Sequence, residues 1–71
     1  MDYNKMFKIA QGKIQDSHPG IVDKIDECIR YGSTGGEITD CVGKILMDIK
    51  QEKGPVYYKL KNEINNYLNR W

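Results

Sequence analysis

The residues whose types could do chemistry are few: Cys28, Cys41, His18 and a glycine-rich turn, Gly32-Ser33-Thr34-Gly35-Gly36. The cysteines stand 13 positions apart, each on an apolar stripe at helical spacing. Structural zinc sites pair their ligands as Cys-x-x-Cys or His-x-x-x-His and need four of them. Neither pairing occurs here, and no fourth ligand is evident beside Cys28, Cys41 and His18. The expectation is therefore two small buried hydrophobes with free, reduced thiols. Oxidation across neighbouring helices and a zinc site completed by His18 are the alternatives.

His18 precedes Pro19 at a helix start, with Asp16 nearby. A general base needs a poised pKa and a substrate pocket, and a lone histidine in a capping turn supplies neither. It reads as a solvated cap residue. No Ser/His/Asp or Cys/His set suggests itself, so the sequence implies no enzyme, no metal and no cofactor.

The glycine-rich turn feeds a helix N-terminus, where free N–H groups favour anions. Ser33, Thr34, Gly35 and Gly36 are thus the candidate anion contacts. The match to a P-loop fails on spacing and on the missing Lys-Ser/Thr, and no strand precedes the turn. Glu37 and Asp40, just behind it, would repel a phosphate. The turn is expected to be structural.

These residues need elements to hold them, and four segments carry apolar residues at helical spacing. The first, 3–15, has Tyr3, Phe7, Ala10 and Ile14 on one stripe and Met6 at its edge. Asp16 or Ser17 then caps the second, 19–31, with Pro19 in its first turn. Its stripe is Ile21, Val22, Ile25, Cys28 and Ile29. Thr34 and Glu37 form a capping box for the third, 35–52, whose stripe is Ile38, Cys41, Val42, Ile45, Leu46 and Ile49. Gly54 stops it and Pro55 starts the fourth, 55–70, with Val56, Tyr57, Leu60, Ile64, Tyr67, Leu68 and Trp71 on one face. Gly12 and Gly43 sit inside helices, where close helix approach would explain them; an earlier end to the first helix is the other explanation for Gly12. Short connections favour antiparallel neighbours. The fold expected is all-α: one domain, 1–71, an antiparallel up-down bundle of four short helices.

The second and third segments also invite a helix-turn-helix reading. The reading helix would then present Glu37, Thr39 and Asp40 to a polyanion, which is the wrong sign. A net charge of +1, spread evenly, supplies no compensating field. A small nucleic-acid-binding regulator is therefore the alternative, not the leading reading. The longest apolar run, Ile45-Leu46-Met47, excludes a spanning helix. The first dozen residues lack a hydrophobic signal core, so the expected location is the cytoplasm. Abundant Lys, Asn, Ile and Tyr suggest an AT-rich bacterial genome.

A domain of 71 residues has a thin core and often needs a partner. Met1, Ile9, Tyr31, Met47 and Tyr58 fall off the four stripes. Tyrosine and methionine are favoured at interfaces. Met47, Tyr58, Tyr67 and the terminal Trp71 are taken as the candidate interaction surface, with another protein or a second copy of the chain as partner. Trp71 would be covered either by Tyr3 or Phe7 or by the second copy, and a homodimer is favoured. In size and helical content the chain resembles small bacterial helical proteins that act by binding others, immunity and regulatory proteins among them.

Overall fold

In the computed structural model, which describes residues 1–70, four helices follow one another: α1 (Tyr3–Ile14), α2 (Pro19–Tyr31), α3 (Gly35–Glu52) and α4 (Pro55–Asn69). No strand occurs among the described residues. The molecule is the expected all-α bundle. Its antiparallel course shows in which residues meet. Thr39, early in α3, meets Tyr67, late in α4. Ile49, late in α3, lies with Val56 and Tyr57 at the start of α4. Lys13, near the end of α1, and Ser17, in the turn after it, reach Glu63 and Lys59, in the middle and the first half of α4.

Local chemistry sets each boundary. Asp2 caps α1 by accepting the Lys5 N–H at 2.8 Å. The cap of α2 is His18, not Asp16 or Ser17, and its side chain makes no cap bond. Ser17 Oγ instead lies 2.9 Å from His18 Nδ1 and accepts from Lys59 Nζ at 3.2 Å, tying the α1–α2 turn to α4. Pro19 supplies the first turn, as expected.

At the other end of α3 the glycine stop is displaced by one residue. Lys53 carries the left-handed conformation (φ 52), while Gly54 is extended and caps α4. Helix α4 is also bent: Leu60 has φ −118 and ψ 16. No proline or glycine lies within four residues of it. Leu60 is wholly buried, so the bend sits in the core, where tertiary packing outweighs local propensity.

The core is one cluster. Met6, Ala10 and Ile14 come from α1, with Met6 at the centre and Tyr3 and Phe7 half-buried beside it. Val22, Ile25 and Cys28 come from α2. Ile38, Val42, Leu46 and Ile49 come from α3 and Val56, Tyr57, Leu60, Ile64 and Tyr67 from α4. Ile21, Ile29, Ile45 and Leu68 pack against its rim, as do Met1 and Ile9, which the periodicity had set apart. Between α1 and α4, Lys13 Nζ bonds Glu63 Oε2 at 2.6 Å, and this bond holds the Glu63 carboxyl below the ordinary range.

Gly43 is buried within α3. Gly12 is not the close-approach site the sequence suggested. It is exposed, α1 continues past it to Ile14, and a Cβ there would meet nothing within 4 Å. Gly12→Ala should therefore stabilise the protein by about 0.5–1 kcal/mol, through the lost chain freedom of the unfolded state alone. A urea titration checks this; a loss of stability would mean that this face of α1 is covered.

Candidate functional site

The corner where α2 hands over to α3 gathers most of the chemistry. Gly32 ends α2 in an extended conformation, with its N–H donated to the Cys28 carbonyl at 3.1 Å. A Cβ on Gly32 would run into Ile38 Cγ1 and stand 2.9 Å from that same carbonyl oxygen. Gly32 is thus required by close approach, not by a positive φ. Gly32→Ala should cost about 1–3 kcal/mol, because backbone must move to admit the methyl. Thermal unfolding measures it, and an unchanged midpoint would mean the corner is looser than described.

The next residues spend their hydrogen bonds on each other. Thr34 Oγ1 accepts the Glu37 N–H at 3.1 Å. The Glu37 carboxylate accepts the Ser33 N–H at 3.2 Å, one residue earlier than a standard capping box. Thr39 Oγ1 donates to the Gly35 carbonyl at 2.7 Å. Of the anion candidates, Ser33 and Thr34 are thus occupied by the chain's own Glu37, while Gly35 and Gly36 lie exposed in the first turn of α3. A carboxylate already sits where a bound anion would need these groups.

Cys28 and Cys41 are joined by a disulfide, with their Cα atoms 5.7 Å apart. This corrects the expectation of two buried free thiols. Cys28 is buried, 6% exposed, but Cys41 is exposed. The reason is helix rotation: Ile38, Val42, Leu46 and Ile49 form the centre of the α3 stripe, leaving Cys41 at the edge that faces α2. The antiparallel register of α2 and α3 then places the two side chains within disulfide reach. Both sulfurs are consumed by the bond, and no three His, Cys, Asp or Glu side chains converge among the described residues.

Beside the disulfide lies an open depression of about 500 Å³. Cys28, Cys41 and Ile45 give it a largely apolar surface, with Lys24, Glu27, Glu37 and Tyr31 around it. Tyr31 is 78% exposed, the most exposed large hydrophobic side chain among the described residues. It stands on the last turn of α2, directly before Gly32.

Of the four residues expected to form an interaction surface, one is not on the surface at all. Tyr67 is a core residue, 2% exposed, whose hydroxyl donates to the Thr39 carbonyl at 3.0 Å. The stripe of α4 turns it inward, and burial holds its phenol above the usual range. Met47 is half-buried on α3. Tyr58 is 65% exposed, but it belongs to the opposite end of the bundle from Tyr31 and leans on Tyr57, ring centroids 5.6 Å apart. Trp71 lies outside the described residues. Behind Tyr57, four asparagines of α4 (Asn62, Asn65, Asn66 and Asn69) line a second, polar depression with Lys50. Asn65 Nδ2 donates there to the Tyr57 hydroxyl at 3.3 Å.

Sequence reasoning set Tyr31 apart from its stripe but left it out of the interaction surface. The available signal was its place: a large apolar side chain off the stripe, three residues after a cysteine and beside the clearest turn. The α2–α3 pair runs side by side as a hairpin from Cys28–Cys41 to Ile21 and Ile49. Compared with protein-family models, curated proteins and solved structures, the chain matches none.

Proposed function

We propose that this chain is a non-catalytic protein-interaction domain and that its contact surface is the α2–α3 corner around Tyr31. The observation that carries the reading is the pairing of an exposed aromatic ring with an apolar depression held by a covalent bond. Tyrosine offers large contact area with few rotors, and interface energy concentrates in such anchors. A braced surface also loses little freedom when a partner docks. At the corner the two sulfurs are joined to each other and the Glu37 carboxylate accepts the Ser33 N–H.

The partner is another protein. A second copy of the chain is the competing occupant, and light scattering on a size-exclusion column separates the two. The disulfide favours an oxidising compartment over the cytoplasm the sequence suggested. No helix among the described residues is long and apolar enough to cross a membrane.

The test is whether Tyr31 is dispensable to the fold and needed for binding. Tyr31→Ala should leave the melting temperature within about 2 °C, since the ring is exposed. It should weaken partner binding by about tenfold or more, as loss of an aromatic anchor does. Equal binding by the variant would overturn the reading.

A further inference from the structure

The two sulfurs of the corner differ in access. Thiol–disulfide exchange requires the attacking thiolate to approach one sulfur in line with the bond, from the side away from the other sulfur. Cys28 is buried, 6% exposed, in the core cluster that includes Val22 and Ile25. Cys41 is an exposed residue on the rim of the depression, so a reagent from solvent meets it first. The depression that both cysteines line leaves the bond open to a small reagent, with Lys24 among its lining residues.

We propose that Cys28–Cys41 is a site of thiol exchange on the folded protein, and that a low-molecular-weight thiol attacks it at Cys41. The thiolate forms a new sulfur–sulfur bond to Cys41 Sγ, the Cys41–Cys28 bond breaks, and its electron pair leaves on Cys28 Sγ, which takes a proton from water. A second thiolate then attacks the mixed disulfide at the reagent sulfur and releases the Cys41 thiolate. Two thiols are oxidised to one disulfide, and the protein disulfide is reduced by two electrons. The first step yields a chain carrying the small thiol on Cys41 and a free thiol on Cys28. Opening the bond removes the cross-link from the turn that follows Tyr31, so the thiol balance of the surroundings sets the rigidity of this corner. The proposal rests on the disulfide and its exposure, not on the binding reading above.

The test treats the oxidised full chain with 2-mercaptoethanol over a series of sub-denaturing urea concentrations. Samples are quenched with N-ethylmaleimide and peptide-mapped. The expected result is mixed disulfide on Cys41 and maleimide on Cys28, in excess over the reverse by roughly tenfold or more. The rate should rise linearly with thiol and change little with urea. Mixed disulfide on Cys28, equal labelling of both, or a rate that climbs steeply with urea and saturates in thiol would overturn it, because reaction would then require unfolding. The Cys28→Ser and Cys41→Ser chains give an independent reading: the remaining Cys41 should react with an aromatic disulfide reagent roughly tenfold faster than the remaining Cys28. Equal rates in folded variants would overturn the asymmetry.

Discussion

Cys41→Ser should lower the unfolding free energy by about 3 kcal/mol, most of it through the unfolded state. The bond closes a loop between positions separated by 13 residues, and cutting it returns that loop's freedom to the denatured chain. Serine is the clean replacement at position 41, because the site is exposed and the new hydroxyl meets water. At Cys28 the same change would bury a hydroxyl and add a desolvation cost of its own. A domain of 71 residues has roughly 4–10 kcal/mol of total stability, so the loss is a large share of it. Urea denaturation of the oxidised chain, the reduced chain and Cys41→Ser is the measurement. The last two should agree with each other and fall well below the first. A drop under about 1 kcal/mol would mean that the denatured chain already holds the corner closed.

Leu46→Ala is the other large effect, at about 2–5 kcal/mol. Leu46 is wholly buried in the middle of α3, which, like α1, packs against each of the other three helices. Truncation removes apolar area and leaves a void that close-packed neighbours cannot fill. The neighbouring Ile45 sits half-buried at the rim beside the disulfide, where solvent and mobile side chains relax into the gap. Ile45→Ala should cost clearly less. In thermal unfolding, Leu46→Ala should lower the midpoint by more than about 10 °C. Equal penalties at the two positions would mean that the core is not centred where Val42 and Leu46 place it.

The helices were legible because their evidence is local. Apolar spacing, Pro19 and Pro55 at first turns, and the Thr34–Glu37 pair each act within one or two turns of chain. What was not legible depends on neighbours. Periodicity gives a face but not its rotation, so Met6 was placed at the edge of α1 when it is the centre, and Cys41 was placed in the core when it is at the rim. The disulfide needs the register of α2 against α3, which no single segment encodes. Tyr67 lies on the apolar stripe of the fourth segment and was also assigned to the interaction surface; Thr39 across the bundle offers its hydroxyl a carbonyl, and the ring is buried. Gly54 was one residue late: Lys53 took the left-handed position at some cost, leaving Gly54 to cap α4. The bend at Leu60 has no local signal at all.

The surface around Tyr31 is tested most directly by site-specific photo-crosslinking in the cells that make the protein. A photoreactive phenylalanine derivative replaces Tyr31 in one chain and Tyr58, exposed at the other end of the bundle, in a second. The account predicts one discrete covalent adduct of the chain with another protein from position 31 and none of that size from position 58. No adduct from position 31, or the same adducts from both positions, would contradict it.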